Sequence, residues 1–294
     1  MFGKRSDGYL VKEIDPVIAL TPYIMPMRCD AQVALQLQLP YEIMARYMAK
    51  KRLEGHQITF MEIVLAAYVR AISQMPEINR FIANKRYYSR KEIAVSFAVL
   101  QTTADGSDKE NVAKCKFDPK DTIYDVATRI QEAIKEIRKE EADNSTLKVA
   151  NLLTKPIIAV PVVMLARLMD RYGILPKYLV NASPFHTGLW FSNNASVGLP
   201  PVFHHIYNFG TTSAFAVIGN IEREISIDAE GKAVRRRSLP LGVTVDERVC
   251  AGITYSRFLL SLQRYLADPK TLEVPPKEVF YNEGHSYQLP KSAS

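Results

Sequence analysis

Cysteine is scarce in this sequence: Cys29, Cys115 and Cys250 are the only three in 294 residues, an odd number at wide spacing. Without a CxxC pair there is no zinc ribbon and no disulfide framework, and reduced thiols are expected. The 13 glycines form no GxGxxG fingerprint, no Walker loop and no GxSxG elbow, which removes the dinucleotide, P-loop and serine-hydrolase readings. Of the five histidines, His56, His186, His204, His205 and His285, none sits in an HExxH motif and no two share an i, i+4 face. No metal is therefore expected. Long apolar runs are missing as well. The longest, Ile157 to Ala166, is interrupted by Pro161 and is about half the ~20 residues that a membrane span needs. Met1-Phe2-Gly3-Lys4-Arg5-Ser6 leads into no apolar segment, so no signal peptide is expected and the reading is a soluble, cytoplasmic protein with no membrane partner.

What is present is an ordinary globular composition, 47% hydrophobic and 23% charged, which excludes a disordered or collagen-like chain. The net charge of +7 is spread along the chain, dense only at Lys50-Lys51-Arg52 and Arg235-Arg236-Arg237. Such a surplus attracts an anionic ligand such as a nucleotide phosphate. Nucleic-acid binding needs a basic stripe on a recognisable module, and none is found, so no nucleic-acid partner is expected. No composition break divides the chain. One α/β domain over residues 16–280 is expected, a mixed sheet with flanking helices, between an N-terminal arm (1–15) and a C-terminal tail (281–294).

Helical spacing opens at Pro40-Tyr41-Glu42, runs through Met44, Tyr47 and Met48, and stops at Gly55. Thr59 reads as the N-cap of a second helix through Met61, Val64, Leu65, Tyr68, Val69 and Ile72, ending at Pro76. A third is capped by Asp121 or Thr122 and runs through Val126, Ile130, Ile134 and Ile137 into Lys139-Glu140-Glu141. A last amphipathic helix spans Gly252 to Asp268. Strands are expected at 93–100, 188–193, 215–221 and 238–245, with a hairpin turn at 228–232. The tail from Glu273-Val274-Pro275-Pro276 onward is expected to be draped or frayed.

Three segments carry the residue types of chemistry. Ser192-Asn193-Asn194-Ala195-Ser196-Val197-Gly198 follows a strand and ends in a turn. Phe203-His204-His205-Ile206-Tyr207-Asn208-Phe209-Gly210-Thr211 is dense in aromatic and histidine residues. Asp246-Glu247-Arg248-Val249-Cys250-Ala251-Gly252 joins a strand to the last helix and ends in a glycine suited to a tight turn. Each also has a plain structural reading: a turn serine, half-buried packing histidines, and a salt-bridged corner.

Taken in order, these segments, with Ala216-Val217-Ile218-Gly219, Leu239-Pro240-Leu241 and Arg257-Phe258-Leu259, resemble the catalytic domain of the dihydrolipoyl acyltransferases. These are core subunits of 2-oxoacid dehydrogenase complexes and share a superfamily with chloramphenicol acetyltransferase. Ala66-Ala67…Pro76-Glu77-Ile78-Asn79 extends the resemblance into the N-terminal half. It covers roughly residues 16 to 280 and is densest in the last third. The resemblance implies a chloramphenicol acetyltransferase-like fold and a homotrimer, which can build a larger assembly. It also implies a coenzyme A or acyl-coenzyme A substrate and a separate lipoyl or acyl-carrier chain. In that family an Asp-His-Arg-Val-x-Asp-Gly motif supplies a histidine base that deprotonates a thiol. A Ser or Thr hydroxyl from another subunit, at Ser192 here, stabilises the oxyanion.

This sequence departs at the decisive place, with Glu247 for the histidine and Ala251 for the second aspartate. Imidazole suits thiol deprotonation because its pKa of about 6.5 lies near working pH, whereas a free glutamate titrates near ~4.3. The expectation is a divergent acyltransferase-fold protein without standard acyl transfer, serving as a trimeric structural or ligand-binding core. The alternative is an active stand-alone coenzyme A-dependent acyltransferase that uses Glu247, His204 or His205 as its base.

Overall fold

Apolar alternation and helical spacing divide the chain into strands and helices that meet around one large sheet and a small one. The computed structural model describes residues 4–102, 108–140, 155–227 and 230–281. In chain order the elements are β1 (Gly8–Leu10), α1 (Pro16–Ile24), β2 (Gln32–Leu39), α2 (Tyr41–Leu53), α3 (Phe60–Gln74), β3 (Arg80–Ala83), β4 (Arg86–Arg90), β5 (Ile93–Thr102), β6 (Asp108–Phe117), α4 (Ile123–Glu140), α5 (Pro156–Tyr172), α6 (Lys177–Ala182), β7 (Leu189–Asn193), β8 (Ala214–Ile218), β9 (Glu222–Ile227), β10 (Ala233–Asp246) and α7 (Gly252–Ala267). No helix among the described residues is long and apolar enough to cross a membrane.

The main sheet runs β2-β10-β8-β7-β5-β6, with β9 paired to the first half of β10. β7 lies parallel to β5 and β8, and the other pairings are antiparallel. The sheet is mixed, as the sequence led one to expect. Strands β2, β6 and β9 join the four expected ones, and a separate three-stranded sheet, β1-β4-β3, stands beside it. β2 and β6 alternate polar residues with apolar ones of modest size, and β9 is short and flanked by charge, so none stands out as a buried run. β10 begins five residues earlier than Ser238, because the hairpin with β9 carries the strand through the three arginines.

Side chains alternate between the two faces of the sheet. Leu189, Phe191, Ala216, Ile218, Leu241 and Val243 join α2, α3, α4 and α7 in the main core. On the other face Trp190, Phe215 and Val217 form a smaller cluster with Phe185 and Tyr207. α3 is the central helix. Thr59 is its N-cap, as its sequence led one to expect, and the structure adds a reciprocal bond: Thr59 Oγ1 accepts from the Glu62 amide while the Glu62 carboxylate accepts from that of Thr59. It is buried on nearly all sides because the chain after α7 covers it: Arg70 donates to the carbonyls of Thr271 and Val274, and the Phe280 amide donates to that of Ser73. The tail is thus draped as far as Tyr281, and the remainder of the expected tail lies outside the described residues. At the other end the expected arm carries β1, paired to β4 from Gly8↔Arg90 to Leu10↔Tyr88.

α5 contains the long apolar run, yet most of it faces outward. Ile157, Val160, Val163, Met164, Leu165 and Leu168 are exposed, and so are Val17, Leu20 and Ile24 of α1.

Candidate functional site

The end of β10 is locked by a buried ion pair. Arg248 grips Asp246 with two parallel bonds, Nε to Oδ1 at 2.8 Å and a terminal nitrogen to Oδ2 at 2.7 Å, and donates a third to the Met25 carbonyl at 2.8 Å. Both side chains are 2–3% exposed. The Tyr255 hydroxyl of α7 donates to the Asp246 carbonyl at 2.7 Å, and the Val249 amide closes the turn onto the same carbonyl. Gly252 corrects one expectation. It is the first residue of α7 and is not among the glycines with positive φ, so the chain reverses through the ion pair and not through a glycine turn. Ala251 occupies the N-cap of α7 with extended backbone (φ −62°, ψ 148°) and offers no side-chain cap.

Glu247 sits at the apex of this turn. Its amide donates to the Ala31 carbonyl at 2.9 Å, and its side chain is exposed. The adjoining cavity, about 570 Å³, is lined by Arg248, Arg28, Asn208 and Gly210, with Arg167 and Arg171 of α5 and Lys85 also on its walls. Arg28 is buried there and donates to the carbonyls of Ile82, Tyr207, Asn208 and Gly210, with no carboxylate bonded to it among the described residues. Burial pushes its pKa down to about 10.

Ser192 is the penultimate residue of β7, half-buried, with its hydroxyl donating to Asn194 Oδ1 at 3.3 Å. The register places it beside Val217 of β8 and, one strand further, Gly242 of β10. Glu247 lies five positions beyond Gly242, so strand geometry sets it roughly 17 Å along and about 10 Å across from Ser192. One protomer does not bring the two together. His204 shares the face of Ser192: its ring stacks on Phe215 at a centroid distance of 4.0 Å, and its Nδ1 lies 2.8 Å from the His205 carbonyl. His205 is exposed. Their loop reaches the Glu247 turn through the Ile206 amide, which donates to Gln32 Oε1 at 2.7 Å, Gln32 being the ladder partner of Asp246.

Two glycines place that loop. A Cβ on Gly219 would lie 2.2 Å from the Pro201 nitrogen, and one on Gly242 would lie 2.6 Å from the Val202 carbonyl oxygen. The chain before His204 therefore rests directly on sheet backbone, which only glycine permits.

A third buried cluster escaped the sequence. Arg5 bonds Asp7 and Asp170, and His186 Nε2 lies 3.1 Å from Asp170 Oδ1 while its Nδ1 meets Ser183 Oγ at 2.8 Å. Against the upward push of burial, the His186 hydrogen bond and the Arg5 charge hold the Asp170 pKa down at about 2. Arg5 and Asp170 are 165 positions apart in sequence, and no local pattern announces the pair. Among the described residues no group of three or more His, Cys, Asp or Glu side chains is placed to hold a metal ion.

Residues 192–274 match the family of the 2-oxoacid dehydrogenases acyltransferase (catalytic domain), under a third of the chain. No curated protein matches it. Solved structures match over nearly its whole length. The cubic core of the pyruvate dehydrogenase multienzyme complex is 15% identical with a TM-score of 0.54, covering 90% of this chain and 94% of that one. A dihydrolipoamide acetyltransferase from Azotobacter vinelandii, studied for the roles of a serine, a histidine and an asparagine in its mechanism, is 16% identical with a TM-score of 0.55, over 90% and 94%. A chloramphenicol acetyltransferase is 15% identical with a TM-score of 0.50, over 88% and 99%. The fold is chloramphenicol acetyltransferase-like, and the C-terminal third resembles the dihydrolipoyl acyltransferase catalytic domain, as the sequence implied.

Two stability measurements check this geometry. Ala251→Asp adds the missing N-cap and is expected to stabilise by about 1 kcal/mol, raising the melting temperature by roughly 2 °C; an unchanged or lower midpoint would refute the cap assignment. Because the Asp170 pKa is depressed in the folded state, its contribution is complete above pH ~4 and is lost as pH falls towards 2. Asp170→Asn should lower stability at pH 7 by about 2 kcal/mol and flatten the decline between pH 4 and 2 in urea titrations.

Proposed function

We propose that this chain is an acyltransferase-fold core that assembles as a cyclic homotrimer and binds coenzyme A-type thioesters between its copies without standard acyl transfer. The observation that carries the reading is the turn after β10. Its scaffold is intact through the Asp246–Arg248 pair, yet it presents Glu247 where the chemistry calls for imidazole and closes on Ala251. A general base works best when its pKa lies near operating pH. The Glu247 side chain is exposed at the turn.

Assembly is supported by two features. Ser192 and Glu247 occupy opposite ends of the β7-β8-β10 ladder, so a site that uses both must draw them from two copies. The exposed apolar residues of α1 and α5 form the kind of surface that soluble proteins cover by association. Ligand binding is supported by the 570 Å³ cavity beside Arg248, with Arg28, Arg167, Arg171 and Lys85 on its walls, because arginine and lysine suit phosphate groups. A second reading rests on a separate observation: His204 lies on the Ser192 face, and the Ile206–Gln32 bond anchors its loop beside the Glu247 turn. In that reading His204 or His205 serves as the base of an active acyltransferase.

Light scattering at micromolar concentration is expected to give a trimer, and a stable monomer would refute the assembly. In an assay that follows S-acetyldihydrolipoamide formed from acetyl-coenzyme A and dihydrolipoamide by chromatography, the wild type should stay at background. Glu247→His with Ala251→Asp should gain turnover, which Ser192→Ala then lowers by ~10²–10³-fold. Wild-type turnover abolished by Glu247→Gln would overturn the non-catalytic reading in favour of a glutamate base. Turnover abolished by His204→Ala or His205→Ala would do so in favour of the second reading.

A further inference from the structure

Away from the Glu247 turn, a small cavity lies where β4, β5, β6 and α6 approach one another. It is about 30 Å³ in volume, and its lining includes Asp7, Arg90, Lys91, Lys114, Lys177 and His186. That is space for two waters or one compact group, far too little for a nucleotide. We propose that this cavity is a binding site for a small oxyanion of the phosphate class.

The charge inventory argues for an anion. Among the described residues, Arg90, Lys91, Lys114 and Lys177 form no ion pair. The two carboxylates on the lining are already engaged: Asp7 with Arg5 at 2.8 Å, and Glu92 with Lys116 at 2.7 Å. Buried cations without a bonded counter-ion are costly; Arg90 is 3% exposed, and the Asp7 charge that acts on it is bonded to Arg5.

The donor geometry argues for oxygen acceptors. The two terminal nitrogens of Arg90 are occupied by Thr211 Oγ1 at 2.9 Å, Ser213 Oγ at 3.0 Å and the Thr211 carbonyl. Its Nε is buried without a partner. Lys114 Nζ donates to the carbonyls of Val180 at 2.9 Å and Ser183 at 3.0 Å, which leaves one of its three protons. Burial, with the charges of Lys116 and Arg90 behind it, pushes the Lys114 pKa down to about 8, and burial pushes that of Arg90 down to about 9. An incoming anion relieves both. Lys177 is exposed on α6 at the rim, where it steers an anion inward. A tetrahedral oxyanion offers acceptors in the diverging directions that donors from three separate elements require.

The test uses the full-length protein. Thermal unfolding is followed at constant ionic strength while inorganic phosphate replaces chloride, and calorimetry with inorganic phosphate measures binding directly. A saturable rise in midpoint is expected for the wild type, with affinity weakened at least tenfold in Lys114→Met and severalfold in Lys177→Ala. Lys177 is a surface residue, so the second variant stays folded if the first does not. Equal responses in the wild type and Lys177→Ala, a rise that never saturates as in general salting effects, or no heat of binding would each overturn the proposal. A phosphate monoester that competes with phosphate would support a phosphoryl group as the natural occupant, and failure to compete would support the free ion.

Discussion

The Asp246–Arg248 pair is the constraint on which the candidate site depends. Two bonded charges out of contact with water leave an uncompensated ion if either partner is removed, a loss of about 3–5 kcal/mol. The pair is also a junction. Arg248 reaches the Met25 carbonyl ahead of β2, Asp246 receives the Tyr255 hydroxyl from α7, and the Asp246 amide donates to Ser213 at the start of β8. Three elements far apart in sequence are thus joined at one residue pair, through the backbone of Asp246 and the side chain of Arg248. The position of residue 247 follows from this junction and owes nothing to the side chain it carries, so the scaffold of the turn persists while its chemistry differs.

Much of the fold was legible because burial imposes a period on the sequence. α3 shows it most clearly, with Val64, Leu65, Tyr68, Val69 and Ile72 at helical spacing between the Thr59 cap and Pro76. α7 shows it with Phe258, Leu262 and Leu266 inside. α5 left no such signal, because residues that are apolar on several sides define no inward face, and the structure leaves many of them exposed. The small β1-β4-β3 sheet was silent for another reason: three to five residues per strand are too few for alternation to register, and its left-handed Asn84-Lys85 turn lacks the glycine that usually marks such hairpins.

The candidate residues were legible as motifs but not as a constellation. Ser192, His204, His205 and Glu247 were all identifiable by residue type and order, and the sheet register then sorted them. It set Ser192 and His204 on one face and held Glu247 at the far end of β10. The Arg5–Asp170–His186 cluster gave no sequence cue, since the pairing of an N-terminal arginine with the end of α5 and the loop before β7 is purely tertiary.

The contact of Pro201 and Val202 with Gly219 and Gly242 separates where the histidine loop lies from what it carries. Backbone rests on backbone there, so the fit involves no side chain of the loop beyond the proline ring. Substitutions at the exposed Phe203 and His205 can alter polarity, bulk or proton affinity without lifting the segment from the sheet, whereas one methyl group at either glycine would dislodge it. Variation is thus open at the exposed loop positions and forbidden at the two glycines. A fold arranged this way can change the chemistry it presents while preserving the platform on which that chemistry stands.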